Sequence, residues 1–206
     1  MFTKSRQMIL VALILSALSS VGCGNTEGAV LIVDAEFDPV AASDAFGGVN
    51  ESTTGIAQTF TVLNDGKFER FWIVLTQGNS ADSGTIRISV RPLIGGLPNP
   101  AVASSIITPI DVDTSTLPAT PVEAFSIFDV GGDPGREVLM GETYAIIVEF
   151  VSRATTTDVN PIAFVLGISG VLADPYADGS GAEDTGGGYA LDPTMDDYIF
   201  RTFVLQ

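Results

Sequence analysis

No histidine occurs anywhere in this 206-residue sequence, cysteine occurs once, and nine lysines and arginines face 25 aspartates and glutamates. Without imidazole there is no Ser-His-Asp or Cys-His catalysis, no His-ligated zinc, and no side chain that ordinarily titrates near neutrality. A single thiol, Cys23, excludes a disulfide within the chain, so the fold must rest on its hydrophobic core. The cations Lys67, Arg70, Arg87, Arg91, Arg136, Arg153 and Arg201 are scattered, with no stripe to track phosphates, which excludes nucleic acid as a partner. Lys67 sits in the turn-like Asn64-Asp65-Gly66-Lys67, the setting of a solvated side chain and not of a Ser-Lys dyad. With the usual activators missing, an enzyme would need paired carboxylates. Among so many acids some pair falls at a suitable separation by chance, so the chain is expected to be non-catalytic.

The acidity does not imply disorder. Charged residues make up 17% of the chain and hydrophobic residues 46%, the balance of a globular domain with an acidic surface.

Residues 1–22 have three zones: Lys4 and Arg6, an apolar run at 8–18, and the small residues Ser19, Ser20, Val21 and Gly22 before Cys23. This resembles a bacterial lipoprotein signal peptide, with Ser20-Val21-Gly22-Cys23 as the lipobox. The resemblance implies cleavage before Cys23, a diacylglycerol on its sulfur and a usually acylated new amino group. Cleavage would remove two cations and no acid, taking the net charge from −16 to −18. Two alternatives stay open. Ser20-Val21-Gly22 also fits ordinary secretory cleavage, and the apolar run could persist as an anchor, although it is shorter than the roughly 18 residues that a span requires. Residues 23–28 would be the lipidated cysteine and a short tether, and residues 29–206 one domain.

That domain reads as all-β. Ile86, Ile88 and Val90 alternate with Arg87, Ser89 and Arg91, which predicts a half-buried strand. Other predicted strands cover 30–37, 56–63, 68–76, 102–107, 122–130, 143–151, 162–168 and 198–205. In 68–76 the apolar phase shifts, so Phe68 joins Phe71, Ile73 and Leu75 only across a bulge, and Trp72 points to the opposite face. Clusters such as Asn64-Asp65-Gly66 and Gly95-Gly96-Leu97-Pro98 supply the reversals. About nine strands with this punctuation predict an antiparallel, jelly-roll-like β-sandwich.

The stretches Ala57-Gln58-Thr59-Phe60-Thr61, Gly66-Lys67-Phe68-Glu69-Arg70-Phe71-Trp72, Thr85-Ile86-Arg87-Ile88-Ser89-Val90-Arg91, Gly141-Glu142-Thr143-Tyr144-Ala145-Ile146 and Asp197-Tyr198-Ile199-Phe200-Arg201-Thr202-Phe203 together resemble jelly-roll, galactose-binding-like surface domains of the choice-of-anchor type. The resemblance implies a passive extracellular module that coats, adheres to a surface protein or binds glycans, here mounted on lipid at Cys23.

Candidate ligand contacts gather in 174–197. Asp174, Asp178 and Asp184, spread over a Gly-rich loop, are candidate ligands for a structural calcium, although the EF-hand spacing fails; no other cofactor is expected. Tyr176 and Tyr189 in that segment, and Trp72, are candidate platforms for stacking on a sugar. Arg201 is expected to form a surface or cross-strand ion pair. The expected function is a non-catalytic structural or interaction role at a cell membrane, the outer one where there are two. A carbohydrate-binding module is the alternative and a carboxylate-based glycoside hydrolase a distant third.

The lipobox has a direct test. Cys23→Ser is expected to abolish palmitate labelling and membrane fractionation while the domain still folds. Unchanged membrane association in that variant would contradict lipidation.

Overall fold

The computed structural model describes residues 29–37, 45–78, 83–119, 125–129, 137–154, 160–168, 176, 178–191 and 197–206. In chain order the strands are β1 (Leu31–Phe37), β2 (Ala45–Val49), β3 (Gly55–Thr61), β4 (Gly66–Gln77), β5 (Gly84–Ile94), β6 (Leu97–Pro98), β7 (Ile110–Asp113) and β8 (Phe125–Asp129). There follow β9 (Glu137–Val138), β10 (Thr143–Arg153), β11 (Ala163–Ile168), β12 (Gly181–Asp184), β13 (Tyr189–Leu191), β14 (Asp197–Tyr198) and β15 (Phe200–Leu205). One sheet runs β1-β15-β4-β11-β14, with β2 on β11 and β8 and β9 on β4. The other runs β13-β12-β3-β10-β5-β6, with β7 on β5. All pairings are antiparallel. From β3 onward the chain crosses repeatedly between the sheets, with β5–β7, β8–β9, β12–β13 and β14–β15 each staying within one, and the two sheets form a β-sandwich.

The alternation seen in the sequence packs the space between the sheets. Ile86, Ile88 and Val90 of β5 meet Tyr144, Ile146 and Val148 of β10 and the apolar face of β4 in one cluster. Phe60 is the hub of that core, since its ring lies 5.9 Å from Phe200, 6.2 Å from Tyr144 and 6.3 Å from Phe68. The anticipated phase shift in β4 is present as a bulge. Phe203 pairs with Arg70 but Val204 pairs with Phe68, and the extra residue returns Phe68 to the core beside Phe71, with ring centroids 6.3 Å apart.

Two buried acids tie loops to this core. Asp34 accepts hydrogen bonds from the Leu63 N–H (3.0 Å) and the Asn64 N–H (2.8 Å), fixing the β3–β4 turn against β1. Burial pushes the Asp34 carboxyl above its ordinary value, and these hydrogen bonds oppose the shift. Asp197 accepts from Gln58 Nε2 (3.0 Å) and the Tyr176 N–H (3.0 Å), while Gln58 Oε1 accepts from the Tyr198 N–H (2.6 Å).

Four expectations need correction. The strands number 15 among the described residues, not nine. The segment at 102–107 is not a strand: Val102–Ser104 is a 3₁₀ turn, after which the Ile106 N–H bonds Val90 O (2.8 Å) and seals the β5 edge. Its apolar residues are still buried, Ile106 and Ile107 both entering the core. Part of the Gly-rich segment forms the β12–β13 hairpin on the edge of the second sheet. Finally, β5 is buried on both faces from Ile88 to Arg91, because Ser89 and Arg91 are as inaccessible as Ile88.

Phe60→Ala removes the ring that joins the two sheets. It is expected to cost about 3–5 kcal/mol, read as a lower urea midpoint, and an unchanged midpoint would place the core elsewhere.

Candidate functional site

A second layer covers the outside of the β3-β10-β5 region. Period-two alternation turns Ala57 of β3, Ala145, Ile147 and Glu149 of β10, and Arg87, Ser89 and Arg91 of β5 away from the main core. The small side chains of Ala57 and Ala145 leave room for a cover. The Tyr189 ring fills it, packing with Ala57, Ala145, Ile147 and Ala182, with Leu93 at the margin. Gly55 is required beneath that ring, since a Cβ there would strike the Tyr189 hydroxyl and come within 3.0 Å of Cζ. The hairpin presenting Tyr189 turns on Gly186 (φ 91°) and Gly188 (φ 100°), conformations that suit glycine. Their N–H groups donate to Asp184 Oδ1 at 2.8 and 2.9 Å.

Arg91 lies inside this layer with no exposure at all. Its guanidinium donates to Asn99 O (3.3 Å), to Pro100 O (3.1 Å) and, in an ion pair, to Glu149 Oε2. Glu149 Oε1 accepts from the Tyr189 hydroxyl at 3.4 Å. Burial, and then the neighbouring Glu149 charge, push the Tyr189 phenol well above its ordinary value.

Beside this network opens a cleft of ≈ 330 Å³ lined by Thr54, Arg87, Val102, Glu149, Phe150, Val151 and Asp184. Arg87 is held by a two-pronged bond to Asp111, Nε to Oδ1 at 2.7 Å and Nη2 to Oδ2 at 2.9 Å. That bond raises the Arg87 pKa and holds the Asp111 carboxyl below its ordinary range. The cleft thus presents carboxylate acceptors, a guanidinium donor and apolar walls, a set suited to hydroxyl-rich ligands. It is poorly suited to general acid–base work. Glu149 is committed to Arg91 and Tyr189, and Asp184 to its own hairpin. The two acids stand on strands flanking β3, about 10 Å apart between strand axes.

The residues singled out from the sequence are not brought together. Cys23 and Asp174 lie outside the described residues. The carbonyl of Asp178 accepts from Thr61 Oγ1 at 2.9 Å, whereas Asp184 pairs with Gly55 at the other end of β3. Six residues of strand separate those positions, about 20 Å, so Asp178 and Asp184 cannot share one calcium. Among the described residues no three acids or thiols converge on a metal position.

Tyr176 and Tyr189 are buried, not stacking platforms. The Tyr176 ring meets Phe200 edge-on at 5.1 Å and Phe37 at 6.2 Å. Burial first, and the Asp178 charge second, raise its phenol pKa. Trp72 does face outward from β4 but is half-buried, with Phe203 at 4.9 Å and the Arg201 guanidinium 4.9 Å from its ring centroid. Arg201 forms the expected cross-strand ion pair, with Glu36 at 2.6 Å. Asp111 is spent on Arg87, and Asp113 accepts from the Ser115 N–H at 2.9 Å to start the turn at Thr114–Thr116. The cleft acids Glu149 and Asp184 were missed as a pair; the signal was the small residues Gly55, Ala57, Ala145 and Ala182, which mark an outer face with a cover. Compared with known proteins, the chain matches no family model and no curated protein sequence.

The cover over Gly55 and the two buried tyrosines can each be tested. Gly55→Ala should destabilise by about 1–3 kcal/mol through overpacking, and by clearly less in a Tyr189→Phe background; equal costs in both would show that the ring does not lie over Gly55. The second test concerns alkali. The unfolded chain releases phenol protons near pH 10 while the folded chain retains them at Tyr176 and Tyr189. Stability should therefore be full below pH 10 and fall above it, by about 1.4 kcal/mol per tyrosine at pH 11. Urea midpoints between pH 8 and 11 test this, and a Tyr176→Phe, Tyr189→Phe protein should show a shallower slope, whereas an unchanged slope would contradict the assignment.

Proposed function

We propose that the chain is an exported lipoprotein whose β-sandwich acts as a non-catalytic interaction module at a membrane surface. The supporting observation is that the charged groups lining the cleft on the second sheet already hold protein partners: Arg87 with Asp111, Glu149 with Arg91 and Tyr189, Asp184 with Gly186 and Gly188. Groups held in this way can offer their remaining hydrogen-bonding capacity to a ligand, but none stands ready to exchange a proton with one. The anchoring half of the proposal rests on the lipobox at Cys23, and the jelly-roll resemblance of the body agrees with it.

Carbohydrate binding is the second reading, and the cleft moves its site. Stacking on Tyr176 or Tyr189 has no exposed ring to use, whereas carboxylate, guanidinium and apolar wall meet between Arg87, Glu149 and Val102.

A polysaccharide screen with wild type and an Arg87→Gln, Asp111→Asn double variant tests both. Removing the two partners together leaves no lone charge. The variant is expected to keep its melting temperature and lose any glycan affinity about tenfold or more. Undiminished affinity would remove the cleft from the binding reading, and glycoside turnover by the wild type would contradict the non-catalytic one.

A further inference from the structure

Among the described residues, one end of the sandwich carries six of the ten exposed large apolar side chains. Val30, Leu31, Leu63, Ile94, Leu139 and Met140 are between 40% (Leu31) and 69% (Met140) exposed. Hydrogen bonds place them together. Val30 and Gln206 exchange N–H···O bonds at 3.0 Å in each direction. Gln206 Nε2 donates to Asp65 O at 3.3 Å, and the Met140 N–H donates to Asp65 Oδ1 at 2.7 Å. The Gly141 N–H donates to Val62 O (2.8 Å) and the Val62 N–H to Glu142 O (2.9 Å), setting the turn at 139–142 beside Leu63. Ile94 ends β5 two residues beyond the position that pairs with Tyr144, at the same end.

This is also the end at which the chain enters from Cys23. We propose that the rim formed by Val30, Leu63, Leu139 and Met140 rests on the lipid bilayer itself, so that the domain stands in a fixed orientation and does not swing on a tether. The proposal rests on the lipoprotein reading. From Cys23 to Val30 is seven residues, which reach roughly 25 Å when fully extended. The sandwich is longer: β10 runs away from this end for 11 residues, or about 37 Å. The opposite end therefore cannot turn to the membrane, because that would hold Val30 farther off than its tether extends. The occupant follows from the same geometry, since a bilayer is the one surface that the acyl chains of Cys23 guarantee at this distance.

Apolar contact, not charge, drives the docking. The processed chain would carry net charge −18, by subtraction of Lys4 and Arg6 from −16, which opposes attraction to anionic lipid. Lys67, which registers with Leu205 and through it with Leu31, is the one lysine beyond the signal region and stands near this rim with its ammonium 3.3 Å from Glu69. Among the local acids, Asp65 is turned to the Met140 N–H, and Glu142 Oε2 accepts from the Leu139 N–H and the Tyr144 hydroxyl, both at 2.9 Å. The exposed Glu137 stands opposite Lys67 at the edge of β4, and the rest of the rim is left to side chains suited to the headgroup boundary.

The test uses the full-length, processed protein in phosphatidylcholine vesicles, with a polarity-sensitive fluorophore on Met140→Cys or on Ser52→Cys in the exposed turn at the opposite end. Palmitate labelling of the same preparations establishes the anchor. The Met140 label should be blue-shifted and quenched several-fold by brominated acyl chains, with no change between low and high salt. The Ser52 label should behave as in water. Adding Leu139→Glu and Leu63→Glu should return the Met140 label to water while palmitate labelling persists. An acylated protein whose two labels are equally wet would overturn the docking and leave the anchor standing. A chain with no acyl group would overturn both.

Discussion

A guanidinium sealed from solvent organises the outer side of the second sheet. Arg91 cannot be buried on that face unless its charge is met, and Glu149 together with the carbonyls of Asn99 and Pro100 meet the charge and the two terminal nitrogens, leaving Nε without a partner. To supply those carbonyls the chain must fold back after the Gly95-Gly96 turn, which brings Val102 to the wall of the cleft. To complete Glu149 the β12–β13 hairpin must swing Tyr189 over Gly55. Cleft, cover and hairpin gather around one buried charge, and they explain why residues 88–91 of β5 and 144–148 of β10 are buried on both sides.

Elsewhere, buried polar groups do the tying that disulfides do in many exported domains. Asp34 pins the β3–β4 turn from β1, and Asp197 with Gln58 pins Tyr176 and β14 to β3. Each such contact contributes only about 1 kcal/mol net, but leaving its buried donor or acceptor unmet would cost more. Their effect is therefore chiefly on uniqueness of packing. The driving force is the aromatic core around Phe60, whose neighbours Phe68 and Phe200 come from the facing sheet.

The sandwich was legible because its long strands alternate cleanly. Ile86, Ile88 and Val90 announced one face of β5, and the phase shift at Phe68 announced the bulge. Short strands such as Glu137–Val138 and Asp197–Tyr198 have too few residues to show a period, since neighbours and not propensity make them extended. Polar residues in alternation were misread in the other direction. Arg87, Ser89 and Arg91 resemble a solvated face, and only the fold-back at Asn99 and Pro100 together with the pairing to Glu149 distinguishes Arg87 at the cleft from Arg91 inside. The same limit governed the site. Tyrosines in a Gly-rich segment look exposed, yet Tyr189 is drawn inward by the alanines and the glycine of three other segments. Acids close in sequence look like a metal loop, yet β3 sets Asp178 and Asp184 far apart.

Glu149 is committed to Arg91 and not held in reserve for chemistry. A thermodynamic cycle in urea over Glu149→Gln, Arg91→Met and the double variant measures that commitment. The single change Glu149→Gln should cost about 3 kcal/mol, because it leaves a buried guanidinium uncompensated, and the double variant should recover most of that loss. A Glu149→Gln protein as stable as wild type, with no coupling to Arg91, would contradict the account and return Glu149 to the list of groups free to act on a ligand.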